Sequence, residues 1–177
     1  MLLRNYYKAF AGAFQKPGAS TFEADVVNTS GTVYRLARPS NEASCAKLLN
    51  ALSFSGMHSP AVTDNTANAV VFGDGTTPVS LDDYTLSGNK VTGIATVVTS
   101  EFVYDDDGVY ARSVFTVTNQ NDAAITIGEV GYVGTLYRTT STAMNLLLDR
   151  TVLETPVTIE PGGVGQVVYT IRINYPW

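Results

Sequence analysis

Apolar and polar residues alternate along most of the chain from residue 69 onward. The clearest case is residues 167–174, where Val167, Tyr169 and Ile171 occupy every second position and the side chains between them are mostly polar. A period of two with one polar face is typical of a half-buried strand that packs on a second layer. Similar runs recur between clusters of Gly, Asn, Asp and Pro, which are the usual turn residues.

This pattern predicts about eight to ten strands separated by short turns. We place the strands at residues 23–28, 32–36, 70–72, 91–104, 109–119, 125–137, 146–153, 156–159 and 167–173. The predicted turns lie at residues 28–31, 73–75, 105–108, 119–122 and 160–163. The Pro-Gly order of the last one suits a type II turn. We therefore expect an all-β fold, an antiparallel β-sandwich or jelly roll.

The first segment of the chain has helical periodicity instead. Its apolar residues recur at helical spacings, and a second apolar stripe runs beside them: Leu3, Tyr7, Phe10 and Phe14, with Leu2, Tyr6, Ala9 and Ala13. A helix that is apolar on two sides is either deeply buried or pressed against another chain. We divide the chain into an N-terminal arm, residues 1–20, and a single β-sandwich domain, residues 21–177. The alternative is that the arm is an ordinary first element of the domain.

One short helix is predicted inside the domain, from Ser40 or Asn41 to about Leu52. Its apolar residues fall on one helical face: Cys45, Leu48, Leu49 and Leu52. Residues 53–68 show no period and are rich in Ser, Thr and Asn, so they form the longest candidate loop.

Composition supports the all-β prediction and excludes several classes of function. Thr and Val together supply 43 of the 177 residues, and these β-branched side chains suit a pleated sheet better than a helix. The net charge is −5 and Lys and Arg are scattered, whereas nucleic-acid binding depends on a cationic face. No apolar run approaches the roughly 18 residues that a membrane span requires. We expect neither a direct nucleic-acid partner nor a membrane partner.

Candidate catalytic and metal-ligating residues are few. His58 is the only histidine and Cys45 the only cysteine, so no internal disulfide or cysteine-based zinc site is expected. The acidic residues 105–107, and Asp82 with Asp83, could offer oxygen ligands to Ca²⁺, but they lack the alternating spacing of a calcium loop. A carboxylate pair for glycoside hydrolysis stays open, because sequence spacing does not give the distance between carboxylates. We predict no enzyme activity, no metal and no cofactor.

Three stretches of the second part of the chain resemble virion structural proteins of tailed bacteriophages. They are VFGDGTTP with DDYTL (71–78 and 82–86), SVFTVTN with ITIGEVG (113–119 and 125–131), and LLDRTVL, PVTIEPGG and YTIR (147–153, 156–163 and 169–172). Together they are similar to a β-sandwich module of capsid, neck and tail accessory proteins. The resemblance covers residues 68–173 and does not extend to residues 1–60.

The resemblance implies a non-enzymatic structural subunit that decorates or joins capsid or tail components as a homo-oligomer. Its partners would be major capsid or tail proteins. Its location would be the virion, after assembly in the cytoplasm of the bacterial host, which agrees with the lack of cysteine pairs.

Aromatic chain ends indicate which residues such a subunit would use for contacts. Free ends are normally polar, so apolar ends suggest burial against another molecule. The predicted interface residues are Leu3, Tyr6, Tyr7, Phe10, Phe14, Tyr175 and Trp177. Arg150 is added to them, because an Arg between apolar strand residues suits a buried or interface ion pair. The alternative is an Arg that reaches solvent from a strand edge.

Two further expectations concern the segment after residue 72. Gly73 and Gly75 are expected to let the chain turn sharply around Asp74. Beyond that turn, Tyr84 and Leu86 are expected to be buried, while Asp82 and Asp83 face solvent or a neighbouring Arg.

A carbohydrate- or receptor-binding module is the second functional hypothesis. β-Sandwiches bind sugars through exposed aromatic residues, and four tyrosines are candidates for such a platform: Tyr104, Tyr110, Tyr132 and Tyr137. Glycan binding by the isolated chain would favour this hypothesis, whereas self-association would favour the structural role.

Overall fold

The computed structural model describes residues 3, 5–8, 23–37, 69–106, 108–137 and 143–174. The predicted helix ending near Leu52 and the predicted loop at residues 53–68 lie outside the described residues. Within them, the chain forms a helical turn at residues 5–8 and eight strands. No described helix is long and apolar enough to cross a membrane.

The strands confirm the predicted all-β fold. They are β1 (Glu23–Val27), β2 (Val33–Ala37), β3 (Ala69–Gly73), β4 (Ile94–Asp105), β5 (Gly108–Asn119), β6 (Ile125–Tyr137), β7 (Ala143–Ile159) and β8 (Val164–Asn174). The two strands predicted at residues 146–153 and 156–159 are one strand, β7, which continues through Pro156. Its ladder with β6 is irregular at this point, which is how a proline is accommodated at a sheet edge.

Two three-stranded antiparallel sheets face each other. The first sheet has the strand order β3-β6-β7, and the second sheet has the order β4-β5-β8. Strands β1 and β2 form a separate hairpin. The chain crosses between the two sheets after β3, after β5 and after β7, so the hairpins β4–β5 and β6–β7 alternate with connections between the sheets.

The main core lies between the two sheets and consists of alternate residues of each strand. The first sheet contributes Val70, Phe72, Val130, Tyr132, Leu146 and Leu148, and the second contributes Ala111, Phe115, Val117, Val167, Tyr169 and Ile171. Phe72 and Phe115 meet edge to face, with ring centroids 5.5 Å apart. The alternation predicted for β8 is confirmed, since its odd-numbered residues from 167 to 171 are buried and its even-numbered residues are exposed.

The first sheet is also covered on its outer face. Leu3, Val71, Val133 and Leu147 are buried there, and Val79 and Leu86 of the segment between β3 and β4 pack against them. The first sheet is therefore buried on both sides.

Most turns follow the sequence signals, but the predicted turn at residues 73–75 does not form and the β4–β5 connection differs in length. Gly162 has a φ of 69°, and the Gly163 N–H donates to the Glu160 carbonyl over 2.8 Å, as in the predicted type II turn. The β4–β5 hairpin is tighter than predicted, because Asp105 already pairs with Gly108.

Candidate interaction surface

The described residues of the predicted arm pack against their own chain. Leu3 and Tyr6 are buried, and the Leu3 N–H donates to the Leu148 carbonyl of β7 over 2.9 Å. Asn5 accepts the Val27 N–H over 3.1 Å and donates to the Val27 carbonyl over 2.7 Å. Asn5 thus satisfies both backbone groups of Val27 as a neighbouring strand would, and it holds the β1–β2 hairpin in place.

Of the predicted interface residues that the structure describes, Tyr7 is the exposed one. Its side chain is 55% exposed, and its ring meets that of Tyr6 edge to face at 5.8 Å. Phe10, Phe14, Tyr175 and Trp177 lie outside the described residues. Docking of the arm on a neighbouring molecule therefore stays a prediction.

Arg150 reaches its position through an irregularity in the β6–β7 ladder. The register of the two strands shifts at Leu148, which is an extra residue in β7. A bulge of this kind changes which face the following side chains occupy. Leu148 belongs to the main core and Asp149 contacts Tyr169 of the opposite sheet, so Arg150 is directed to the outer face of the first sheet.

Arg150 is the centre of a buried charge cluster. Its Nε lies 2.6 Å from Glu129 Oε2, and its Nη1 lies 2.6 Å from Asp83 Oδ2. Its Nη2 donates to the Thr77 carbonyl over 2.7 Å. The side chains of Arg150 and Glu129 are 1% and 0% exposed. A planar guanidinium can bond to two carboxylates and a carbonyl at once, which a Lys ammonium on its flexible stem does not do as precisely.

Glu129 connects this cluster to the segment between β3 and β4. Its carboxylate accepts the Ser87 N–H over 3.1 Å, the Ser87 hydroxyl over 3.2 Å and the Gly88 N–H over 2.8 Å. Burial by itself would lower the pKa of the Arg150 guanidinium, but the hydrogen bonds and charges of Glu129 and Asp83 outweigh burial and raise it. The cluster thus fastens the segment at residues 74–90 onto the sheet.

Glu129 is not among the site residues predicted from the sequence. A signal was present, because Glu129 is an isolated acidic residue within the otherwise uncharged strand β6. An isolated charge in a strand that is buried on both sides requires a counter-charge. The residue that supplies it is Arg150, a charged residue among the apolar residues of β7.

Two expectations for the 74–90 segment are wrong. Gly73 and Gly75 are not among the described glycines with positive φ; a Cβ at Gly73 would lie 2.7 Å from Glu129 Oε1, so Gly73 is required for space. Tyr84 is 39% exposed instead of buried, and its ring lies over Gly31 in the β1–β2 turn. Asp83 faces Arg150, which is one of the two arrangements that were expected.

A second buried acidic residue bridges the two sheets. Asp149 is 3% exposed, and its Oδ2 accepts the Tyr169 hydroxyl over 2.5 Å. Burial raises the pKa of Tyr169 well above its ordinary value, and the charge of Asp149, its hydrogen bond and nearby Tyr132 raise it further. The phenol therefore stays protonated and acts as the hydrogen-bond donor to the carboxylate.

Three of the four tyrosines proposed as a carbohydrate platform, Tyr104, Tyr110 and Tyr132, do not share a surface. Tyr132 is fully buried in the main core. Tyr104 and Tyr110 lie on opposite faces of the β4–β5 ladder, because Tyr104 pairs with Val109 and Tyr110 pairs with Val103. Nothing is described of the Tyr137 side chain.

The outer face of the second sheet is a broad exposed surface, which we call the open face. The register brings side chains of its three strands into rows. The open face comprises Ala95, Val97, Thr99, Glu101 and Val103 of β4, Tyr110, Arg112, Val114, Thr116 and Thr118 of β5, and Val164, Gln166, Val168, Thr170 and Arg172 of β8. Unlike the first sheet, the second sheet is thus buried on one side.

Charges on the open face are confined to one end. Arg112 pairs with Glu101 at 3.2 Å, and the Arg172 guanidinium lies over the Tyr110 ring at 5.7 Å. The rows at the other end contain no charged residue. They contain three valines that are exposed to an unusual degree: Val97 (70%), Val164 (62%) and Val168 (50%).

Candidate metal and nucleophile sites add nothing within the part of the chain that is described. No cluster of three or more His, Cys, Asp or Glu side chains suited to a metal occurs among the described residues. Asp106 is exposed at the tip of the β4–β5 hairpin. His58 and Cys45 lie outside the described residues.

Comparison with known proteins gives no relative from which a function could be transferred. No protein-family model, no curated protein and no solved structure matches this chain.

Proposed function

We propose that this chain is a non-enzymatic structural subunit of a tailed-phage virion, which assembles with copies of itself while it decorates or joins capsid or tail components. The resemblance of residues 68–173 to such proteins motivates the assignment. The open face is the observation that supports association of the chain with copies of itself.

The open face has the properties of an interaction surface. Val97, Val164 and Val168 are at least half exposed on a sheet face where Thr and Val make up half of the other outward side chains. The cores of protein interfaces are depleted of charge, and contiguous exposed apolar patches mark contact sites. The end of the open face that contains Val97, Val164 and Val168 carries no charge, and such a sheet face is best covered by another sheet face of the same kind, as in the interior of a sandwich.

The buried charges are assigned a scaffolding role in this proposal. The Arg150–Glu129 pair fixes the 74–90 segment on the first sheet, and that segment covers the outer face of this sheet. The second sheet is then the one that is available for contacts between copies.

Self-association measured by sedimentation velocity tests the proposal. The chain is expected to form oligomers at micromolar concentration, and Val97→Lys should reduce their size by removing the contact between open faces, because burying a Lys ammonium against valines is costly. Val33→Lys is the matched control, since Val33 is 61% exposed on β2, away from the open face. A chain that is monomeric at all concentrations, or that binds glycans as a monomer, would contradict the proposal.

Purified particles provide the second test. The chain should be present in several copies per particle, measured by quantitative mass spectrometry of virions from the host culture. A variant carrying Val97→Lys should be lost from the particles, while the Val33→Lys variant should be retained. Equal retention of the two variants would contradict a role for the open face.

A further inference from the structure

We propose that two copies of this chain pair through strand β8, antiparallel and about a twofold axis that passes between the Gln166 residues of the two copies. This inference rests on the proposed function, because it specifies how one contact between copies is made. It rests on the edge strands, on the placement of exposed valines and on charge.

In the two facing sheets, four strands lie at edges: β3 and β7 in the first sheet, and β4 and β8 in the second. An edge strand presents unpaired backbone groups, and proteins protect such edges with charges, prolines, short length or cover. Three of the four edges carry such protection. β3 has five residues, β7 contains Pro156 and receives the Leu3 and Thr29 N–H groups, and β4 carries Glu101 and leads into the acidic hairpin tip.

β8 has the least protection. It is 11 residues long, contains no proline and carries one charged residue, Arg172. The contact of Leu3 with β7 is made at Leu148, next to Asp149, which lies level with Tyr169 of β8. The half of β8 from Val164 to Val168 therefore lies away from Leu3.

The positions of the exposed valines favour one register for the pairing of β8 with β8 of the second copy. In an antiparallel pair about a twofold axis, residues on the same face lie opposite each other. With Gln166 opposite Gln166 of the second copy, Val164 lies opposite Val168 of the second copy, twice per dimer. Both valines are at least half exposed in the single chain, and cross-strand pairs of β-branched side chains stabilise a sheet.

Charge is compatible with the same register. The paired stretch of β8, residues 164–168, contains no charged residue, so no like charges are brought together. The two open faces merge into one continuous surface of six strands.

Cysteine crosslinking tests the register in a Cys45→Ser background. Gln166→Cys should give a disulfide-linked dimer at roughly tenfold the yield of Val168→Cys, because a disulfide needs Cα atoms within about 7 Å. Two Val168 residues would lie about 13 Å apart in this register. A mixture of the Val164→Cys and Val168→Cys chains should crosslink to a heterodimer. Circular dichroism confirms that each variant is folded, and Val33→Cys is the control for an exposed valine.

An introduced charge provides an independent readout. Gln166→Glu should weaken dimerisation several-fold, because two like charges would then lie directly opposite each other at the twofold axis. Oligomers that form but give no Gln166 crosslink, or efficient self-crosslinking of Val168→Cys, would overturn the β8 pairing and leave the proposed function standing. A chain that is monomeric throughout would overturn both.

Discussion

At the scale of residues, Arg150 and Glu129 depend on each other. Each side chain is almost fully buried, and their atoms approach to 2.6 Å. Burying one charge without the other is strongly unfavourable, because the desolvation cost is then not offset by attraction. We therefore interpret the pair as a fixed link between the first sheet and the 74–90 segment, and not as a net increase in the free energy of unfolding.

Replacing Arg150 with Met is expected to lower the free energy of unfolding by about 3–5 kcal/mol, because Glu129 is left as an uncompensated buried charge. Chemical denaturation measures the change. The double variant Arg150→Met/Glu129→Gln should be more stable than Arg150→Met, since a neutral amide still accepts hydrogen bonds from the 74–90 segment.

Arg112→Met is the matched control for this prediction. Its ion pair with Glu101 is about half exposed, and such pairs contribute under about 1 kcal/mol. Equal losses from Arg112→Met and Arg150→Met would contradict the importance of burial.

Tyr169 predicts a dependence of stability on alkaline pH. Its pKa is raised in the folded protein, so above pH of about 10 the unfolded chain releases this proton while the folded chain retains it. The stability contributed by Tyr169 is present below that pH and is lost as pH rises towards the folded pKa, by up to about 1.4 kcal/mol per pH unit.

Denaturation between pH 8 and 11 tests this expectation. Tyr169→Phe should be less stable than the unmodified chain at pH 8, because Asp149 loses a hydrogen bond, and its stability should decline less steeply above pH 10. Tyr104→Phe, at a tyrosine that is 75% exposed, serves as the control and should keep the original slope. An unchanged slope in Tyr169→Phe would rule out this assignment.

At the scale of elements, Asn5 links the N-terminal helical turn to β1. Asn5→Ala should expose both backbone groups of Val27 and destabilise the hairpin by about 1–3 kcal/mol, since unsatisfied buried groups carry that cost. Amide hydrogen exchange should show faster exchange at Val27 and little change at Phe115 in the main core.

Asn89→Ala is the control for this element. The Asn89 side chain donates to Asp74 over 3.2 Å at an exposed position, so its removal should leave Val27 exchange unaffected. Protection at Val27 that survives Asn5→Ala would mean that the segment does not hold the hairpin.

Most strands could be predicted from local pattern. In β8 the alternation of apolar and polar residues corresponds directly to buried and exposed positions, and the Pro161-Gly162 order fixed the preceding turn. The exception is β7, where Pro156 indicated a break. The edge position of the strand allows the proline, and edge positions are set by tertiary pairing.

At the scale of the whole molecule, the two sheets have different surroundings. The first is covered by the main core on one side and by Leu3 and the 74–90 segment on the other, whereas the outer side of the second is the open face. Because of this asymmetry, only the second sheet, within the described residues, offers an exposed face for the contacts between copies in the proposed assembly. Both the face-to-face contact and the β8 pairing use the second sheet, and neither disturbs the buried charge cluster.

The sequence by itself determined the all-β class, the position of nearly every described strand and the turn at residues 160–163, because each depends on residues close together in the chain. Tertiary structure decided the rest. The bulge at Leu148 turned Arg150 towards Glu129, the register gathered Val97, Val164 and Val168 on one face, and Leu3 and Tyr6 entered the core of their own chain. These outcomes depend on which strands become neighbours and on which faces are covered, and the free energy of burial that decides this is a property of the assembled sheets.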